Sequence, residues 1–153
     1  MNKLHLGTCS WKYDSWKGII YPEFGEIKYL EEYSKHYNSV EVDQWFWSLF
    51  DIVKLPDIKT VEEYKKSVPE DFKFIVKVPN SITLTHYYSR KRGEPLMKNP
   101  HFMSVDLFKE FLQIMKPFRN QIGSLIFQFE YLNKQKISSL SGFQRHLHQF
   151  FTS

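Results

Sequence analysis

Cys9 is the only cysteine in 153 residues. No disulfide can form within the chain, which suits a reducing compartment. No run approaches the roughly 20 apolar residues of a membrane-spanning helix. The opening MNKLHLGTCSW has neither the apolar stretch nor the small-residue cleavage site of a secretory leader. A cytoplasmic protein that keeps off membranes is therefore expected. The chain has no P-loop and no G-x-G-x-x-G, which argues against the standard nucleotide cradles. No set of Cys, His and carboxylate residues has persuasive metal-ligand spacing. His146 and His148 are two apart in a helical pattern and point to different sides. Neither a metal nor an organic cofactor is expected. Internal repeats and low-complexity segments are also missing.

What is present is a soluble globular profile, with 42% apolar and 25% charged residues. The length suits one domain with a real core, over residues 1–153. Aromatics reach 18%, including fourteen Phe and nine Tyr, so the core uses large side chains or some apolar faces need a partner. The net charge of +4 slightly favours anionic ligands and does not establish nucleic-acid binding.

Four strand-like runs stand out, at 4–10, 39–44, 72–78 and 124–130, with helical patterns between and after them. Ile27, Leu30, Tyr33 and Tyr37 form one stripe. A second helix starts at Thr60, with Glu63 completing a capping box and Val61 and Tyr64 inward. The third follows a Ser104 cap and shares a face among Leu107, Phe108, Phe111, Leu112 and Met115. The fourth carries Ile137, Leu140, Phe143, Leu147 and Phe150. Strict alternation of strand and helix predicts right-handed βαβ units and a parallel sheet. The connection 79–104 is long enough to suggest a functional loop.

Strand parity locates a site. Val40 and Val42 take one face of their strand, Glu41 and Asp43 the other. Phe74, Val76 and Val78 oppose Lys73, Ile75 and Lys77. Leu125, Phe127 and Phe129 oppose Ile126, Gln128 and Glu130. Each strand thus has one apolar face, suited to helices, and one face with a polar C-terminal end, suited to the mouth of a barrel. Sequential strands usually pair, so Lys77 and Glu41 become neighbours. They are either a proton-transfer pair with retuned acidity or a salt bridge that satisfies two charges. Gln128 either orients a ligand or bonds backbone. Cys9 reads better as a packed small residue than as a nucleophile. Trp11, Tyr13, Trp16, Trp45 and Trp47 follow strands, either as an aromatic wall for a ligand or as packing over the strand ends.

Four blocks, GTCSWKYDSWKGIIYP (7–22), YSKHYNSVEVDQWFW (33–47), FKFIVKVPNSITLTH (72–86) and LIFQFE (125–130), resemble the YecE-like family. The matching positions are Gly7, Thr8, Trp11, Tyr13, Tyr21 and Pro22, then Asn38, Val40, Glu41 and Asp43. They continue with Phe72, Phe74, Lys77, Pro79, Ile82, Thr83 and His86, and end with Leu125, Phe127 and Gln128. The resemblance implies a TIM-barrel domain of unknown function. The family domain has about eight βα units, so four strands and about four helices amount to the first, N-terminal half of a (β/α)8 barrel. The family carries no established reaction.

The expected function is that of a small-molecule enzyme of unknown reaction. Glu41 and Lys77 would supply acid–base or charge-stabilising groups, and Trp11, Asp43, His86 and Gln128 would contact a polar or anionic substrate. The competing reading is a non-catalytic nucleic-acid or anion binder that uses Arg90, Lys91 and Arg92 of YYSRKR (87–92). A third is an inactive truncated scaffold. Open strand edges and a half-covered inner face imply a partner, either a second copy in a homodimer or a complementing C-terminal half.

Overall fold

Three short parallel strands form the sheet: β1 (Ser39–Val42), β2 (Lys73–Lys77) and β3 (Ile122–Ile126), in the order β1-β2-β3. This computed structural model describes residues 4–88 and 94–153. Arg90, Lys91 and Arg92 lie outside the described residues. The helices are α1 (Tyr29–Ser34), α2 (Ile58–Lys66), a single turn α3 (Asn80–Thr83), α4 (Val105–Ile114) and α5 (Leu140–Thr152). The chain is therefore α/β, with parallel strands separated by helices. No helix among the described residues is long and apolar enough to cross a membrane.

The chain divides into two units. The first comprises Met1–Gln44, Pro56–Lys77 and Ile114–Ile126; the second comprises Trp45–Leu55, Val78–Gln113 and Phe127–Ser153. The sheet belongs wholly to the first. Its apolar face buries Val40, Val42, Phe74 and Val76 completely. Phe74 stacks on Phe118 at 4.2 Å, and Phe72 meets Tyr33 edge-on at 6.3 Å. Val61 of α2 is fully buried, as its helical position predicts. β3 carries an irregularity where Phe74 pairs with Ile122 and Ile75 with Ser124, so Gly123 is the extra residue. A Cβ on Gly123 would come within 3.3 Å of the Lys73 Cβ, which explains the glycine.

Several expectations need correction. Among the described residues the sheet has three strands, not four. The run 4–10 lies along the free edge of β1, with Glu41 N–H donating to the Thr8 carbonyl at 2.9 Å and Asn38 N–H to the Leu6 carbonyl at 3.3 Å. It is not a strand because side chains intercept the return bonds. Thr8 N–H donates to the Tyr33 hydroxyl at 2.8 Å, and that hydroxyl donates to the Ser39 carbonyl at 3.1 Å. Leu6 N–H donates to Asn38 Oδ1 at 2.7 Å. A parallel bridge between Thr8 and Val40 would join the Thr8 N–H directly to the Ser39 carbonyl; here a tyrosine hydroxyl is spliced into it. The last strand ends at Ile126 rather than at Glu130, so Gln128 and Glu130 are not strand residues. The cap of α2 lies three residues before the expected Thr60. Asp57 caps it instead, its Oδ1 accepting from Lys59 N–H at 2.9 Å.

In the second unit, α4 has the expected Ser104 cap, whose hydroxyl accepts from Leu107 N–H at 3.2 Å. Phe111 is buried, but Leu112 is 39% exposed and lies off the buried stripe. α5 is capped by Ser139 and buries Phe150, whereas Leu140 stays exposed. Phe108, Phe127 and Phe150 form an aromatic cluster with centroids 5.3–5.8 Å apart. Asn80 and Asn99 satisfy buried backbone groups. Asn80 Oδ1 accepts from the N–H groups of Ser48 and Leu49, and Asn99 Nδ2 donates to the carbonyls of Ser81 and Leu84.

Candidate functional site

Register brings the two expected catalytic residues together. Glu41 pairs with Ile75 across β1 and β2, and Lys77 lies two residues further along β2, on the same face. Lys77 Nζ reaches Glu41 Oε1 at 2.8 Å. Side-chain exposure is 17% for Lys77 and 24% for Glu41, so the pair is largely withdrawn from water without being sealed. A charge-assisted bond of this length is among the stronger polar contacts. Removing either charge takes this bond from a largely buried partner.

Beside the pair lies a recess of about 280 Å³ walled by Gly7, Thr8, Cys9, Ser39, Glu41 and Ile75. The 4–10 segment forms its outer wall. Gly7 passes so near β1 that a Cβ there would fall 2.0 Å from the Ser39 carbonyl oxygen. Cys9 is exposed, and its Sγ lies 3.6 Å from the Tyr13 hydroxyl. That bond, partial burial and the nearby Asp43 carboxylate push the Tyr13 phenol up to about 12. Tyr13 is thus held as a neutral donor near this end of the sheet. Asp43 follows β1 by one residue and is half-buried.

Trp11 is buried and meets Tyr64 edge-on at 5.0 Å; its carbonyl accepts from the Tyr21 hydroxyl. These contacts are packing contacts within the first unit. His86 and Gln128 belong to the second unit. His86 is buried, with Nδ1 2.9 Å from the Thr85 hydroxyl, and Gln128 is exposed.

Sequence reasoning missed a polar chain in the second unit. The Thr85 hydroxyl and N–H both donate to Glu130 Oε1, at 2.6 and 3.0 Å, and Lys136 pairs with Glu130 Oε2. Burial alone would raise the Glu130 carboxyl, but Lys136 and Thr85 outweigh it and hold it below the usual carboxylate range. The available signal was a lone charge in FQFEY, a position otherwise apolar.

The family described as "Protein of unknown function DUF72" matches residues 5–152. The chain belongs to the DUF72 family. Among curated DUF72 relatives, UPF0759 protein YunF of Bacillus subtilis is 28% identical over 129 residues, covering 82% of this chain and 39% of that protein. UPF0759 protein YecE of Escherichia coli is 26% identical over 120 residues, 78% of this chain and 35% of YecE. The YecE-like resemblance is thus met by whole-sequence comparison. A DUF72 crystal structure from Thermotoga maritima superposes with a TM-score of 0.59 at 19% identity, over 93% of this chain and 51% of that one. One from Enterococcus faecalis gives 0.56 at 23%, over 93% and 46%. This chain therefore spans under two fifths of the two curated relatives and about half of the solved DUF72 chains.

Proposed function

We propose that the Glu41–Lys77 pair is the acid–base centre of a small-molecule enzyme whose substrate is polar or anionic. The carrying observation is the 2.8 Å pair at the C-terminal end of adjacent parallel strands, beside an open recess. In this reading Glu41 accepts a proton from the substrate, and Lys77 donates one or holds the developing negative charge. A positioned acid or base typically contributes about 10²–10⁴-fold to rate. The recess is small, so the part of the substrate it takes is a few heavy atoms.

The same reading makes residues 1–153 one domain, the first half of a (β/α)8 barrel with the site at its C-terminal mouth. The parallel order β1-β2-β3 and the coverage of about half of the solved DUF72 chains support it. The test is a thermal-shift screen of polar and anionic metabolites on the wild-type chain, E41Q and K77M. At least one compound is expected to raise the wild-type Tm and to lose that effect in both variants. A panel with no such compound, or one that stabilises all three proteins equally, overturns the proposal.

A further inference from the structure

The second unit holds a cavity of about 520 Å³, within the range of small-molecule sites. Among the described residues its walls carry three lysines and two histidines and no carboxylate. Lys136 is answered by Glu130, whose oxygens are both engaged by Lys136 and Thr85. Lys98 and Lys134 form no ion pair with a carboxylate among the described residues. Lysines around one void, with no carboxylate among the described residues that line it, are the electrostatic complement of an anion.

His86 sharpens this. It is 7% exposed and lines the cavity. The Thr85 hydroxyl gives its one proton to Glu130, so His86 Nδ1 must donate to Thr85. That fixes the ring and leaves Nε2 with no partner among the described residues; it donates to a phosphate oxygen when the ring carries both protons and accepts from a P–OH when it carries one. His86 and Lys98 face each other across an antiparallel bridge flanked by the bonds Tyr87 N–H to Met97 O and Asn99 N–H to Thr85 O. This is the non-hydrogen-bonded pairing, in which facing side chains share one side and lie closest. From another wall come the Ser139 cap of the 13-residue α5 and Gly142 of its first turn, whose N–H donates to the cap hydroxyl, and a helix N-terminus favours negative charge. Phe102, Ile137 and Phe143 supply an apolar wall.

We propose that this cavity binds a small organic molecule through a phosphate group. Lys98, Lys134, His86 Nε2 and the start of α5 surround the phosphate, and the phenylalanines cover the organic part. A tetrahedral dianion accepts bonds from several directions at once, which matches donors on separate walls better than a planar carboxylate does. This site is separate from the Glu41–Lys77 proposal and stands or falls without it.

The test is calorimetric titration of the full chain with inorganic phosphate and, in parallel, succinate. Wild type and E41Q are expected to bind phosphate alike. K98Q/K134Q is expected to bind it about tenfold or more weakly, since two charged donors are lost. Both lysines are exposed, so the fold should survive their neutralisation; H86Q is the second variant and should weaken phosphate as well. No phosphate binding by the wild type, unchanged binding in both K98Q/K134Q and H86Q, or tighter binding of succinate would overturn the proposal.

Discussion

Tyr33 carries more structure than any other single side chain in the first unit. Its ring is fully buried against Phe72 and stacks on Tyr37 at 4.7 Å, while its hydroxyl joins Thr8 to Ser39. Tyr33→Phe keeps the ring and strands a backbone donor and a backbone acceptor. The expected cost is about 1–3 kcal/mol, read from the denaturant midpoint, with the Glu41 amide losing hydrogen-exchange protection. Glu130 gives a pH prediction. Its folded carboxyl lies below the ordinary range, so on acidification the unfolded chain takes up the proton first. The stabilisation is therefore complete above the ordinary carboxylate value and is lost as pH falls through the folded one. Between about pH 6 and pH 3, wild type should lose more stability than E130Q; parallel acid limbs for the two proteins would contradict this. Glu41 and Lys77 were legible from sequence because period-two parity and strand adjacency fix which side chains meet. Tyr33 and Glu130 were not. A hydroxyl spliced between two backbone groups leaves no periodic trace, and Glu130 was read on a strand that ends four residues before it.

At the scale of elements, hydrophobic period placed α1, α2, α4, α5 and the three strands of the sheet, while the single turn α3 fell in the connection read as a loop. Their ends depended on single polar groups. α2 shows why. Thr60 and Glu63 fit a capping box, but Asp57 also stands before the helical run, and its carboxylate takes the Lys59 N–H. Thr60 then sits inside the first turn. Asp57→Ala should cost about 1 kcal/mol, the usual value of an N-cap, whereas Thr60→Ala should be neutral or slightly stabilising because alanine is the better helix former. The reverse order in thermal melts would restore the Thr60 cap. The 4–10 run was read as one of four strands. Leu4 and Leu6 are in fact 81% and 61% exposed, so burial supplied no force to fix a register, and side chains captured the ladder bonds. His86 was read as a loop residue beside the first site. Its direct pairing with Lys98 came from a two-residue bridge too short to show in the sequence.

For the whole molecule, the open question is what covers the remaining edge. Among the described residues β3 has a strand partner on one side only, and Gly123 and Ser124 are exposed. An unpaired edge with small, uncharged residues is a template for another strand, with no lysine, proline or bulky charge on Gly123 or Ser124 to block it. Ile19 and Phe24 in the first unit, and Ile52 and Tyr131 in the second, are each at least 77% exposed. The DUF72 relatives and solved structures are two to three times longer than the stretch this chain matches. The expected outcome is association. In light scattering at micromolar concentration the 18.5 kDa chain should run at twice its mass or more, or shift to a one-to-one complex when the polypeptide corresponding to the rest of a longer relative is added. A stable, cooperatively unfolding monomer that ignores the added polypeptide would show that the β3 edge is tolerated as it stands.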